Sequence, residues 1–453
     1  MLRKITEELL KQISNPLLSK NAQMYINIEN NYLAQVEEFG LEIERVNKSV
    51  NKPEITLTNS SDSTLKTLIE EGLVVGNDTK SLHFNWISPA CVSCRKGLDS
   101  LTFTISMHCP RDCFFCFNPN QGNYEHLQEQ ANNPAKELIE LFKQNRCLRD
   151  IALTGGEPLL HKDETEEFFR TASQYFPDAY TRLYTSGAFL DEPFLEKLAA
   201  AGLDEIRFSI KTDDAPDAIQ EVLDLIALSR KHIEFVMVEM PVLPDELELM
   251  KDLLLSLDTI GISGINLLEL CFPFNNAQEF RRRGYTLKSE PFRVLYNYWY
   301  AGGLPVAGSE QACIELLKYT SENKLSMGVH YCSLENKLSG QVYQQNLSAY
   351  QDYPYCHFSQ RDYFLKSAKV YGNDALLVNI ALLEKGYEAL RYDKDAQVLE
   401  FLPDYLASLA DAFPNLEVAI SYHILEQDDQ GIALRELRLD LTTPATFNIS
   451  EDL

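Results

Sequence analysis

Leu101-Thr-Phe-Thr-Ile105 runs toward Cys109-Pro-Arg-Asp-Cys113-Phe-Phe-Cys116. The first stretch is a short apolar run with aromatic and β-branched residues, the composition of a strand. The second places three cysteines in one loop directly after it. Thiolate is the soft ligand that iron–sulfur clusters take. A cubane of four irons held by three thiolates keeps one iron open for a further ligand, as an open position marks catalytic zinc. A zinc loop and a chance grouping of cysteines are the competing readings.

Outward from this loop, strand and helix patterns alternate from about Leu101 to Ser333. The expected strands are Leu101–Ser106, Asp150–Leu153, Thr181–Thr185, Glu205–Ile210, Glu234–Met240 and Ile262–Leu268. Helical patterns fill Ala135–Gln144, Glu164–Tyr175, Glu192–Ala201, Ala215–Arg230 and Asp245–Leu257. Such alternation implies a parallel sheet covered by helices. The second strand runs into Thr154-Gly155-Gly156-Glu157-Pro158, where adjacent glycines let main chain and ligand approach closely. The third ends in Tyr184-Thr185-Ser186-Gly187. In the fourth, Ile206, Phe208 and Ile210 alternate with Arg207, Ser209 and Lys211, which should face inward.

The CxxxCxxC spacing with an aromatic residue before the last cysteine, and the GGEP turn after the next strand, resemble the radical S-adenosylmethionine (SAM) superfamily. The resemblance implies an α/β fold: a partial (β/α)6 TIM-type barrel with small α+β extensions at both ends. It implies a [4Fe–4S] cluster on Cys109, Cys113 and Cys116, with SAM on the open iron. It also implies cleavage of SAM to a 5′-deoxyadenosyl radical. By the same resemblance Gly155, Gly156, Glu157 and Pro158 seat SAM, and Ser209 and Lys211 finish its pocket. Ser186 stands where the family commonly has Asn. The family reading is of maturase type: hydrogen-atom abstraction from a peptide or protein substrate, with an external electron donor of flavodoxin or ferredoxin type. A radical SAM enzyme acting on a small metabolite, or a glycyl radical enzyme activase, is the alternative. A non-enzymatic iron–sulfur carrier or zinc-stabilised binding protein is the third reading, and it predicts no SAM affinity.

Other residues fall at the expected barrel mouth. Glu239 lies near the end of the fifth strand. Glu269 and Cys271 share a face by period two, which makes both candidate catalytic residues. Cys91-Val-Ser-Cys94 is half of a four-cysteine site. Cys332 and Cys356 are the candidate other half, giving a second Fe–S cluster or a zinc site, with His330 and His357 as substitute ligands or ordinary hydrogen-bonded histidines. Cys147 and Cys313 read as core thiols.

The chain has 453 residues, ten cysteines and a net charge of −26. That length suggests more than one domain. The acidic balance lacks the positive field of nucleic-acid binders. No apolar run approaches a membrane span, and no secretion signal is visible, so a cytoplasmic, low-oxygen setting is expected. Cysteines in that setting read as metal ligands before disulfides. The expected divisions are an N-terminal module over 1–90, the partial barrel over 91–335 and an α+β region over 336–453. In the first, Asn59–Gly72 has a helical pattern between strand-like Glu54–Leu57 and Leu73–Val75; its position suggests peptide recognition by strand addition, or a structural lid. In the last, Val398–Leu402, Glu417–Ile424 and Ala433–Leu441 read as strands, Pro403–Phe413 as a helix and Asp428–Gly431 as a hairpin turn. Tyr296–Tyr300 reads as an aromatic helix or the lining of a substrate path.

Overall fold

The computed structural model describes residues 2–45, 63–296, 302–428 and 431–453. Its contacts separate two units. The larger comprises Phe39–Pro291 and Tyr298–Gly340; the smaller comprises Met1–Glu38, Phe292–Asn297 and Gln341–Leu453.

The larger unit holds seven parallel strands: β1 (Ser100–Thr104), β2 (Asp150–Thr154), β3 (Tyr180–Thr185), β4 (Glu205–Phe208), β5 (Phe235–Val242), β6 (Gly264–Glu269) and β7 (Gly328–Cys332), adjacent in that order. Each of the six expected strands is found. The seventh was not foreseen. Its Gly-Val-His-Tyr-Cys sequence lacks a clean apolar run, yet it pairs in parallel with β6. A hairpin of Val74–Gly76 and Ser81–Phe84 then continues the sheet antiparallel to β7. This partial-barrel architecture buries β2 and β6 along nearly their whole length. Ile151, Leu153, Leu183, Ile206, Phe208 and Ile265 form the core with Phe168, Phe169 and Leu254 from the helices.

Local signals set the helix ends. Asn133 accepts from Lys136 N–H at 2.9 Å and Asp191 from Phe194 N–H at 2.9 Å, each capping a helix with Pro in its first turn. Gly261, at φ +75°, stops Leu247–Ile260 in the left-handed conformation that favours glycine. Cys147 is exposed rather than a core thiol, because it lies beyond the end of helix Pro134–Lys143; Cys313 is buried as expected.

The smaller unit is an antiparallel sheet. Its order is Arg3–Lys4, Gly431–Thr442, Val418–Asp428, Leu365–Tyr371, Val398–Phe401, Leu390–Asp393, with His357–Phe358 also paired to Leu365–Tyr371. Helix Pro16–Glu37 packs Leu18, Ala22 and Ile26 against Tyr371, Ala419, Leu439 and Leu441. The helix expected over Pro403–Phe413 is a 3-10 turn, Pro403–Tyr405, followed by the single turn Leu406–Leu409. Strand residues Asp428 and Gly431 pair across the expected hairpin, whose Asp429 and Gln430 lie outside the described residues.

The division differs from the three-part expectation. Residues 1–38 join the C-terminal sheet, while the helix Ser63–Glu70 and the hairpin that follows it join the parallel-sheet unit. Expected strand Glu54–Leu57, the start of the Asn59–Gly72 pattern and the tyrosine segment beyond Tyr296 lie outside the described residues.

Candidate active site

The C-terminal ends of β1 to β6 open on one cavity of about 400 Å³. Its lining includes Cys109, Cys113 and Cys116, the Gly155–Glu157 turn, Ser186, Ser209, Lys211, Glu269 and Cys271. Most of the sequence-predicted site residues are therefore brought together. Pro158 is buried behind the turn, where its carbonyl accepts from Thr165 Oγ1 at 3.0 Å.

Two glycines explain how the cysteine loop is seated. Gly156 N–H donates to Ser106 O at 2.9 Å and Glu157 N–H to His108 O at 2.7 Å, stitching the turn after β2 to the start of the loop. A Cβ on Gly156 would lie 2.0 Å from His108 O, and one on Gly155, at φ +128°, would lie 2.6 Å from Ser106 O. No side chain fits either contact. Asn118 Nδ2 donates to Gly155 O at 2.7 Å, and Asn120 Nδ2 donates to Pro273 O at 2.8 Å. The sequence reading passed over these asparagines; their signal was Asn118-Pro-Asn120 immediately after the last cysteine. Arg111, inside the loop, pairs with Asp214 beyond β4.

Glu157 is 1% exposed, and its carboxylate accepts from Leu159 N–H, Thr185 Oγ1, Ser186 N–H and Ser186 Oγ at 2.5–3.1 Å. It fastens the turn after β2 to the turn after β3. Ser186 faces the cavity as that turn's outer residue.

The floor of the cavity is a buried polar network. Arg207 on β4 pairs with Glu205 and, at 2.5 Å, with Glu239 on β5; it donates to Ser88 Oγ at 2.9 Å and stands 5.4 Å from the Tyr184 ring centroid. Asn266 on β6 donates to the same Glu239 oxygen at 2.7 Å. Burial acts to raise the Glu239 carboxyl, but Arg207 and Lys337 outweigh it and hold the group below the usual range. Glu269 accepts from Leu334 N–H at 2.9 Å and faces Lys288 Nζ at 3.4 Å, while the same ammonium lies 2.5 Å from Glu310. With burial and Glu310 both acting against its charge, Glu269 is held above the usual range despite Lys288. Burial pushes the Cys271 thiol up to about 11.

Of the proposed second metal ligands, Cys91, Cys94 and Cys332 lie in the larger unit, close enough to act on one another's charge. Asn266 Nδ2 donates to Cys91 Sγ at 3.2 Å, Arg207 Nη2 at 3.5 Å, and Asn336 Nδ2 donates to Cys332 Sγ at 3.2 Å. Cys356 belongs to the smaller unit and packs among Tyr355, Leu365 and Leu425. His330 is buried between Ser81 Oγ at 2.8 Å and Asn266 Oδ1 at 2.6 Å, an ordinary bonded histidine; His357 stands 3.2 Å from Asp404. Among the described residues, the one group of three ligand-type side chains with donor atoms all within 4.8 Å is Glu400, His423 and Glu436, and Lys369 already bridges its two carboxylates. Thiolates on one zinc, each about 2.3 Å from it, stand within about 4.6 Å of one another. Among the described residues, neither cysteine trio has all three sulfurs within 4.8 Å of one another.

The Cys109, Cys113 and Cys116 trio has the soft donor chemistry that an iron–sulfur cluster takes. Its three thiols share one cavity, with the backbone N–H of Arg111 directed at Cys109 and that of Asn118 at Cys116. Burial raises the Cys113 thiol to about 11, with Cys116 and Cys109 adding to the rise and Lys211 and Arg111 pulling back. Metal binding must therefore displace its proton.

Residues 103–257 match the family model described as the Radical SAM superfamily. A putative glycyl-radical enzyme activating enzyme of Methanocaldococcus jannaschii is 28% identical over 260 residues, 55% of this chain and 64% of that protein. The PqqA peptide cyclase of Granulibacter bethesdensis is 31% identical over 117 residues, 25% of this chain and 29% of that protein. The chain thus spans less than two thirds of the length of either curated relative. Among solved structures, SuiB of Streptococcus suis bound to S-adenosylmethionine has a TM-score of 0.37 at 13% identity, over 52% of this chain and 50% of that one. No helix among the described residues is long and apolar enough to cross a membrane.

Proposed function

We propose that this chain, whose residues 103–257 match the Radical SAM family model, binds SAM in the 400 Å³ cavity, cleaves it reductively and directs the radical to a peptide or protein. The observation that carries this reading is the convergence of Cys109, Cys113 and Cys116 with the Gly155–Gly156 turn on one cavity at the strand ends. Cys109, Cys113 and Cys116 would hold a [4Fe–4S] cluster, and when bound it would supply the electron for reductive cleavage of SAM to methionine and a 5′-deoxyadenosyl radical.

The chain's own residues bind, orient and shield. Gly155 and Gly156 bring main chain close to the cysteine loop, where the methionyl end of SAM is placed. Glu157 acts as a positioning residue by fixing Ser186 and Thr185. Ser209 and Lys211 supply polar contacts at the end of β4. Glu269 and Cys271 face the reacting space from beyond the sheet centre. Glu269, held above the usual carboxylate range, is suited to keep or move a proton there. A small external reductant of flavodoxin or ferredoxin type delivers the electron. Cys91, Cys94 and Cys332 are assigned to a second iron–sulfur group.

A second reading has one observation in its favour: a relative matched over 55% of this chain is named as a putative glycyl-radical enzyme activating enzyme. In that version the hydrogen atom comes from a glycine of a partner protein.

The test is 5′-deoxyadenosine release by anaerobically reconstituted, reduced protein, beside a C109A/C113A/C116A variant. Product from wild type alone supports the reading. Absence of both product and SAM binding in iron-replete wild type overturns it. For the second group, C91A/C94A should lower iron by about four per chain; unchanged iron removes that assignment.

A further inference from the structure

Among the described residues, one cation lining the cavity has no carboxylate within 4.0 Å. Arg111 is paired with Asp214, and Lys211 lies 3.6 Å from Asp213 and 3.7 Å from Asp214. Lys337 lines the same cavity, half-buried, and among the described residues no carboxylate comes within 4.0 Å of its Nζ. Its charge still reaches Glu239, Cys271 and Cys332, so it lies over the floor of the cavity rather than at its rim.

The backbone that carries Lys337 is fixed. Helix Leu334–Leu347 starts directly after β7. Leu334 N–H is held by Glu269, Asn336 N–H is capped by Ser333 Oγ at 3.0 Å, and the Asn336 side chain is gripped by Asn77 at 2.6 Å. At Gly340 a Cβ would lie 2.8 Å from Cys94 O, so the helix is packed close against that segment. A half-buried ammonium on a rigid support, with no carboxylate within 4.0 Å among the described residues, is satisfied by an anion that enters with the ligand.

We infer that Lys337 is a specificity-determining residue that binds a carboxylate of the substrate, such as an acidic side chain or a peptide C-terminus. This rests on the assignment of the cavity to SAM and substrate. A carboxylate fits better than a phosphate: one uncommitted cation balances one negative charge, and the other lining cations are already engaged. Glu239, held ionised beside Arg207, repels an anion from the neighbouring floor, which leaves the Lys337 side as its place.

The probes are the α-amides of N-acetylglutamate and N-acetylglutamine, equal in shape, of which only the first carries a carboxylate. Their binding to the reconstituted, SAM-loaded protein is measured by titration calorimetry. Wild type should prefer the charged probe by about tenfold, the worth of one charge-assisted hydrogen bond. K337Q should lose the preference and K337R should keep most of it, while SAM binding, read from the cluster's EPR signal, and iron content are retained. Absence of a preference in wild type, or its survival in K337Q, overturns the inference. Weaker SAM binding in K337Q with the probe preference intact assigns the ammonium to SAM's own carboxylate, which also overturns it, as does loss of iron in K337Q. Failure of wild type to bind SAM at all is a separate result, and it counts against the enzyme reading.

Discussion

At Gly156 one methyl group decides whether the cysteine loop can close. Its Cβ would lie 2.0 Å from a backbone oxygen that has no freedom to retreat, because His108 O also accepts from Glu157 N–H. G156A should cost about 1–3 kcal/mol or more, the range for overpacking a tight contact. It should lower the iron retained after anaerobic reconstitution; iron content and SAM cleavage equal to wild type would show that the loop is not seated by this turn. Glu157 carries a different prediction. E157A strips the acceptor from four donors, each buried donor left unsatisfied costing about 1–3 kcal/mol. The denaturant midpoint should fall, and SAM affinity with it, while E157Q recovers part of both. The cysteines and glycines were legible in sequence because chemistry and sterics fix their spacing. The task of Glu157 was not. The family resemblance gives it to SAM, whereas its partners sit 28 and 29 residues downstream, on the turn after β3.

Between elements, the parallel sheet was readable where a strand is largely apolar, as in β2, or alternates cleanly, as in β4. It was unreadable at β7, whose His330 and Cys332 are buried by bonding to neighbours rather than by being apolar. Arg207 shows what such burial costs. It is 2% exposed and serves both Glu205 and Glu239. R207M should destabilise the larger unit by about 3–5 kcal/mol, since removing one partner leaves buried charge uncompensated. The sign with pH follows from Glu239. In wild type its carboxyl is held below the unfolded value, so its contribution is present above about pH 4.3 and is lost as pH falls through and below that value. Without Arg207, burial dominates and the carboxyl rises, so the penalty for keeping it ionised grows with pH. The gap in stability between wild type and R207M should therefore be wide at pH 7 and narrow toward pH 4, measured by urea unfolding. A gap independent of pH would mean that lost packing, not lost charge, sets the cost.

Across the whole molecule, chain order and spatial order part company. Arg3–Lys4 pairs with Asp440 and Leu441, and Leu2 N–H donates to Asp452 Oδ1 at 2.9 Å. Pairings over such a separation leave no local pattern, which is why a reading from periodicity placed residues 1–38 in an N-terminal module. The apolar face of helix Pro16–Glu37 was visible in principle, but its target, the face formed by Tyr371, Ala419, Leu439 and Leu441, was not. If that face is what the helix stabilises, Leu18, fully buried, is the contact to remove. L18A should cost about 2–5 kcal/mol. Deletion of residues 1–38 should cost more, since it also takes away Ile5, Ala22 and Ile26 and uncovers an edge strand. Hydrogen exchange read by mass spectrometry locates the damage: amides of Val418–Asp428 and Gly431–Thr442 should lose protection, while those of β2 to β5 keep theirs. Equal loss in both sheets would mean that the two units unfold as one cooperative body; unchanged protection in the antiparallel sheet would mean that the helix covers the face without stabilising it.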